Sequence, residues 1–203
     1  MEVILLIGSV GVGKSTFLQR FRKVLATDKI DKHGIWVYIN FKNFSDTGDV
    51  LDNFIFNQIE ETLASDYSSL NLDEWSFIKQ AYHAEYEKYR KGVFSPLFKS
   101  NPEKFEEKFG ELVYQLMDND KGQHLIKILS TVSKRLSKCI FLVFDNADQL
   151  NPETQNKIFL AAQKLAEPLS CFALIAMREE SYWKNRNAGP LNAFHTTAYH
   201  VQL

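Results

Sequence analysis

One glycine-rich stretch near the start of the chain limits its possible folds more than any other feature. An apolar run over residues 3–7 leads into Gly8-Ser9-Val10-Gly11-Val12-Gly13-Lys14-Ser15, and an amphipathic segment follows. The stretch fits the pattern G-x-x-x-x-G-K-[ST], whose glycines let the backbone turn sharply and aim several N–H groups into one concavity. A chance glycine-rich turn is disfavoured because the pattern has a predicted strand before it and a predicted helix after it. It predicts a loop that binds the phosphates of a nucleotide.

The mechanism of such a loop assigns roles to single residues. A helix that starts at the loop carries unpaired N–H groups and a partial positive charge, and both stabilise a phosphate. Lys14 adds a full charge and would reach the β- and γ-phosphates. Ser15 would offer its hydroxyl to Mg²⁺, and Thr16 would lie near the α-phosphate. The backbone of residues 8–13 would complete the contacts with the nucleotide.

Apolar runs alternate with helical patterns along the rest of the chain. Strands are predicted at residues 3–7, 35–40, 139–144, 171–177 and 198–203. The continuous apolar runs among them are typical of parallel strands that are covered on both faces. Strands that alternate with helices predict an α/β fold with a parallel sheet and right-handed crossovers. We therefore interpret residues 1–203 as one core domain.

Several local predictions concern the helices between these strands. The first helix is expected to pack a stripe on the sheet, formed by Phe17, Leu18, Phe21, Val24 and Leu25. Residues 31–34 are predicted to form a turn, and Asp49 is predicted to cap a helix that runs to Leu63. Cys139 and Cys171 both open apolar runs, so we expect small buried thiols instead of a disulfide or a metal site.

Residues 65–121 form a longer connection than a simple βαβ unit needs, and they are rich in aromatic and charged side chains. They are predicted to be a helical insertion with two amphipathic helices. The first would carry Trp75 to Tyr89 on one stripe, and the second would begin at the cap Asn101 and the first-turn residue Pro102. The stripes either pack on the core or form a surface for a partner, and the sequence leaves both possibilities open.

Polar residues follow three predicted strands where each one ends. Lys14 and Ser15 follow the first strand, Asp145 follows the third, and Arg178 follows the fourth. Ligands of open parallel sheets bind beyond the carboxyl ends of the strands, so we expect these residues to converge. An apolar run that ends in an acid is typical of a Walker B strand, whose carboxylate holds Mg²⁺, usually through water. The alternative for Asp145 is an ordinary acid at a strand end.

The segment Asp145-Asn146-Ala147-Asp148, with the phosphate loop and Arg178, resembles the STAND class of signal-transduction ATPases. These relatives of the AAA+ proteins include the NACHT and NB-ARC domains. The resemblance covers residues 3–64 and 122–203, and it implies a P-loop NTPase fold with five strands in the order 5-1-4-3-2.

The resemblance also implies roles for two further residues. Asp148 would help to orient the attacking water, and Arg178 would contact the γ-phosphate. Most AAA+ enzymes place a Glu directly after the first Asp, whereas this chain has Asn146, which suits a slow switch better than a fast motor. The alternatives are that Asp148 is an acid of a turn and that Arg178 is a surface residue paired with a neighbouring Glu.

Other features narrow the choice of nucleotide and partners. Asn156-Lys157-Ile158-Phe159 lacks the Asp of the guanine-reading motif, so ATP and ADP are favoured over guanine nucleotides. No signature of transporter ATPases is found. The formal net charge of −1 provides no general attraction to nucleic acid or to acidic membrane. No apolar run approaches the length of a membrane span, so we expect a cytoplasmic protein.

The leading hypothesis is an ATP-binding and slowly hydrolysing switch domain of a STAND-type regulator of signalling or antiviral defence. ATP, with Mg²⁺ as cofactor, would control oligomerisation. Three alternatives stay open: an AAA+ initiator or loader that acts on DNA through further domains, a small-molecule kinase, and a nucleotide-binding scaffold without hydrolysis. The lid and winged-helix domains that follow a STAND core would begin where the sequence stops. We therefore expect a fragment of a larger, self-associating protein.

Overall fold

The structure, a computed structural model, describes residues 2–45, 50–185 and 196–200. Its strands are β1 (Glu2–Ile7), β2 (Gly34–Asn40), β3 (Cys139–Asp145), β4 (Phe172–Met177) and β5 (Thr196–His200). They form one parallel sheet in the order β2-β3-β4-β1-β5. This is the predicted order read from the other edge, so the predicted α/β fold is confirmed. Residues 201–203 of the last predicted strand lie outside the described residues.

Ten α-helices lie in the described part of the chain. They are α1 (Lys14–Arg20), α2 (Thr27–His33), α3 (Leu51–Asp66), α4 (Trp75–Ala81), α5 (His83–Lys91), α6 (Ser95–Ser100), α7 (Pro102–Asn119), α8 (Lys121–Leu136), α9 (Pro152–Leu169) and α10 (Glu179–Asn185). A π-helical turn, Phe21–Leu25, links α1 to α2. The predicted cap at Asn101 is confirmed, since its side chain accepts a hydrogen bond from the Lys104 amide. The cap expected at Asp49 lies outside the described residues.

The main core lies on the face of the sheet that α3, α8 and α9 cover. Alternate strand residues are buried there, among them Leu5, Ile7, Ile35, Val37, Ile39, Leu142, Phe144, Ala173 and Ile175. The crossovers from β2 to β3, from β3 to β4 and from β4 to β5 run in the same direction across the sheet. Right-handed connections therefore place their helices on this face. The connection from β1 to β2 crosses the sheet in the opposite direction, so α1 and α2 lie on the other face.

The packing of the first helix differs from the prediction. Leu18 is buried, but the other four residues of the stripe are between 38% and 66% exposed. The stripe was predicted from an α-helical period, and the wider π-helical turn at Phe21–Leu25 rotates the later side chains away from it. The predicted turn at residues 31–34 is also wrong. Helix α2 runs to His33 and the chain enters β2 directly at Gly34.

The insertion contains four helices instead of the two predicted. Tyr82 interrupts the first predicted helix and Gly92 ends α5, because their backbones leave the helical region. Ile78, Tyr82 and Phe109 are buried in the same core as the strands, so the insertion packs on the sheet domain through these residues. Glu106 of α7 adds polar contacts, since it accepts hydrogen bonds from Trp75 and Tyr86.

The two cysteines differ in exposure. Cys171 is buried, and burial raises the pKa of its thiol to about 12. Cys139 is exposed at the start of β3, so the prediction of a buried thiol there is wrong. None of the helices in the described ranges has the length and apolar character that a membrane span requires.

Candidate nucleotide-binding site

The glycine-rich loop leaves the sheet after Gly8, whose amide still donates to the carbonyl oxygen of Met177 at 3.3 Å. Gly11 and Gly13 have φ angles of +76° and +84°, in the left-handed region that favours glycine. No atom lies within 4 Å of the position that a Cβ would take on Gly11. The loop therefore has the turn that its glycines predict, and its surface at Gly11 is open.

Lys14 begins α1 and folds back over the loop. Its Nζ donates to the carbonyl oxygens of Gly8 at 2.9 Å and of Ser9 at 3.2 Å. The same ammonium group lies 3.9 Å from Oδ2 of Asp148. These oxygens hold a largely buried positive charge at the loop, where a phosphate would meet it.

A cavity of about 290 Å³ lies over the loop. One side is lined by Val10, Gly11, Gly13, Lys14, Ser15 and Thr16, and the other by Asn146, Asp148, Gln149 and Arg178. A larger cavity of about 530 Å³ lies between α3 and α8, away from the ends of the strands. We assign the site to the smaller cavity because it unites residues from the loop, from the end of β3 and from the end of β4.

Asp148 is buried between two cationic side chains. Its Oδ2 lies 3.2 Å from Nε of Arg178 and 3.9 Å from Nζ of Lys14, and its side chain is only 6% exposed. Burial raises the pKa of Asp148 above its usual value, while Lys14 and Arg178 oppose that rise. The structure thus brings together three of the predicted site residues, and Arg178 makes its ion pair with Asp148.

Asp145 ends β3 and is 1% exposed, just behind the wall of the cavity. Its Oδ2 accepts a hydrogen bond from the Tyr38 hydroxyl at 2.5 Å, and its Oδ1 accepts one from the Asn146 amide at 2.9 Å. Burial, followed by the bond to Asp145, raises the pKa of Tyr38. Each carboxylate oxygen of Asp145 is thus oriented by one protein donor.

Asn146 makes the turn that separates the two acids. Its φ of 62° lies in the left-handed region, which Asn tolerates better than most residues. Its side-chain nitrogen donates to Oδ1 of Asn40, and its side-chain oxygen accepts from Gln149, both at 2.8 Å. The turn is therefore fixed from two sides, and it directs Asp148 into the cavity.

Sequence reasoning missed three polar residues here, namely Tyr38, Asn40 and Gln149. The parallel register pairs Asn40 with Asp145, so the two residues end neighbouring strands at the same level. Aligning the ends of strands predicted to be adjacent would have found Asn40. The hydroxyl contact of Tyr38 depends on register and side-chain direction together, and no local pattern signals it.

The donor atoms fit a magnesium ion held jointly with a nucleotide. Mg²⁺ is commonly bound through one or two protein oxygens, substrate phosphates and water. Ser15 offers a hydroxyl and Asp145 a carboxylate, which are ligands of the required hard type. Within residues 2–45, 50–185 and 196–200, no group of three or more His, Cys, Asp or Glu side chains could hold a metal ion.

A comparison with protein families decides the class of this site. The family model described as the AAA ATPase domain matches residues 1–172. The chain belongs to the AAA ATPase domain family. No curated protein and no solved structure shows significant similarity to it.

The matched part of this AAA ATPase domain includes the loop, the first three strands and both acids after β3. Together with the order of the strands, the match identifies a P-loop ATPase domain. It ends at the first residue of β4, so Arg178 lies beyond it. The place of Arg178 in the site rests on the geometry of its ion pair alone.

Proposed function

We propose that this AAA ATPase domain is an ATP-dependent switch of a STAND-type regulator of signalling or defence, in which ATP controls self-association. The observation that carries the proposal is the pairing of Asp148 with both Lys14 and Arg178. This contact joins the phosphate loop, the turn after β3 and the end of β4. A phosphate group that enters among these charges would act on three structural elements at once.

The proposed roles follow from the positions of the side chains. Lys14 and the backbone of residues 8–13 would bind the β- and γ-phosphates, with Thr16 near the α-phosphate. Ser15 and Asp145 would hold Mg²⁺, which, when bound, neutralises charge on the phosphates. Arg178 would exchange its partner Asp148 for the γ-phosphate, and a planar guanidinium suits such a contact.

Slow hydrolysis fits the composition of the turn after β3. The residue directly after Asp145 is Asn146, whose amide cannot accept a proton from water. The next carboxylate is Asp148, and it is already engaged with two cations. Both cations lie against Oδ2 and weaken Asp148 as a base toward water, which favours slow turnover.

The proposal is tested by separating nucleotide binding from hydrolysis. Lys14→Ala removes the charge at the loop and should weaken binding of a fluorescent ATP analogue by about 10- to 100-fold, the range for a lost charge-assisted hydrogen bond. Asp148→Asn should change the affinity for the analogue by no more than a few-fold. It should abolish most of the release of phosphate from ATP. Lys29→Ala, which removes an exposed lysine of α2, should change neither quantity.

Two results would reject this function. Unchanged binding in Lys14→Ala would mean that the loop is not the phosphate site. Unchanged phosphate release in Asp148→Asn would remove Asp148 from the hydrolytic step and leave slow turnover without its proposed cause.

A further inference from the structure

We infer that Tyr38 is a positioning residue for Mg²⁺, because its hydroxyl holds the Asp145 carboxylate in one orientation. The inference rests on the proposed function, in which Asp145 helps to hold the ion. Tyr38 does not line the cavity over the loop and would not touch the nucleotide or the metal. It would act through Asp145, with which it shares a hydrogen bond of 2.5 Å.

The ring of Tyr38 is placed by the sheet. Strand β2 pairs with β3 in a register that sets Tyr38 opposite Val143, two residues before Asp145. The ring packs against a buried apolar cluster that includes Leu18 and Val143, on the face that α1 covers. These contacts restrict the side chain, so its hydroxyl meets Asp145 in a fixed geometry.

The direction of the hydrogen bond follows from the chemistry of the two groups. The hydroxyl proton of Tyr38 goes to Asp145, since an ionised carboxylate only accepts. Tyr38 also packs against the apolar cluster that includes Leu18 of α1, the helix whose first turn carries Ser15.

This arrangement leaves Asp145 available to a metal-bound water. A carboxylate has about four acceptor positions, and the Tyr38 hydroxyl and Asn146 amide use two of them. Hydrogen bonds to a metal-holding carboxylate fix its orientation, and their loss typically weakens metal affinity or activity by about 10- to 100-fold. Tyr38 would thus affect the binding of the metal ion and not the binding of the phosphates.

The test compares nucleotide binding with and without a divalent ion. In calorimetric titrations with a chelator present, Tyr38→Phe should bind an ATP analogue with the same affinity as the wild type. The Mg²⁺ concentration needed for the metal-dependent gain in affinity should rise by about tenfold or more. The electron paramagnetic resonance of Mn²⁺ with the analogue should show the same weaker binding. Tyr82→Phe removes a buried hydroxyl of the insertion that contacts His124 of α8, and it should leave the metal dependence unchanged.

The inference is overturned if Tyr38→Phe shows the metal dependence of the wild type. A failure of the proposed function looks different, because the wild type itself would then bind no ATP analogue or show no effect of Mg²⁺. If Tyr38→Phe does not fold, Tyr38→Leu replaces it as the test. This variant also removes the hydroxyl that holds Asp145, so a rise of about tenfold or more in the required Mg²⁺ concentration is again expected, and no rise overturns the inference.

Discussion

Asp148 is the residue where burial and ion pairing oppose each other most directly. Two cations favour its ionised form, yet burial, with a smaller contribution from Asp145, leaves the pKa above its usual value. The ionised carboxylate is therefore held at a cost to the folded state. Such a residue suits a switch, because a ligand that changes its surroundings also changes the stability of the site.

This balance predicts an unusual dependence of stability on pH. Because folding raises the pKa of Asp148, the free energy of unfolding falls as the pH rises from the ordinary aspartate range through the raised value. Asp148→Asn does not titrate, so it should gain stability relative to the wild type across that window. Each unit of pKa difference corresponds to about 1.4 kcal/mol. Urea unfolding of both proteins at mildly acidic and at neutral pH measures the change.

A control variant separates this effect from the loss of one negative charge. Asp118→Asn removes an exposed carboxylate of α7, and its stability relative to the wild type should vary little with pH. If the two variants respond to pH alike, burial does not dominate the environment of Asp148.

At the scale of elements, the two faces of the sheet are built differently. The face covered by α3, α8 and α9 is closed, whereas the face covered by α1 carries partly exposed aromatic rings. Trp36, Phe141 and Phe172 form a row across three strands, with ring centroids 6.0 Å and 5.3 Å apart. Phe21 of the π-helical turn extends the row, 6.3 Å from Trp36. The connection between β1 and β2 is therefore only lightly packed on the sheet.

Two glycines in different elements should respond oppositely to alanine. Gly110 lies inside α7, where a Cβ would sit 4.0 Å from Trp75, so Gly110→Ala should stabilise the fold by about 1 kcal/mol. At Gly34, a Cβ would lie 3.1 Å from the Ile30 carbonyl oxygen and 3.2 Å from Phe141. Gly34→Ala should destabilise by about 1–3 kcal/mol through overpacking.

Denaturant unfolding of both variants measures whether each substitution raises or lowers the free energy of unfolding. Because both changes add the same methyl group, each variant serves as the control for the other. Equal effects on stability would show that helix propensity and crowding do not decide the outcome at these sites.

Elements marked by local chemistry could be predicted from the sequence. The apolar runs before Asp145 and Arg178 predict buried strands, and Asn101-Pro102 predicts the start of α7. The meeting of Lys14, Ser15 and Arg178 follows from the rule that parallel strands present their carboxyl ends at one edge, whereas a role for Asp148 was implied only by the resemblance. By contrast, the π-helical turn depends on how α1 meets the sheet, and the contact between Tyr38 and Asp145 depends on strand register. Neither is encoded within a single segment.

On the scale of the whole molecule, the site exists only when distant parts of the chain are folded together. Its lining comes from residues 10–16, 146–149 and 178. An unfolded chain cannot present these groups in one place, so a nucleotide should bind the folded state alone. Binding then adds directly to the free energy of unfolding.

This coupling predicts how far a nucleotide can stabilise the protein. At a free concentration of 100 times Kd, MgATP or a non-hydrolysable analogue should raise the free energy of unfolding by about 2.7 kcal/mol. Urea unfolding over a series of nucleotide concentrations measures the rise. Lys14→Ala, whose binding should be about 10- to 100-fold weaker, should gain only about 0.4–1.4 kcal/mol at the same concentrations. Equal stabilisation of the two proteins would place the nucleotide elsewhere.

The order of the strands also determines when the loop can form during synthesis. Strand β1 lies between β4 and β5, so it has no neighbouring strand until residues 172–177 have left the ribosome. Strands β2 and β3 are neighbours and can pair before that. The loop after β1 is made before both strands that flank β1, and the strand that carries it is paired only after them. A nucleotide that binds this loop would therefore find the complete site only on chains whose translation has passed β4.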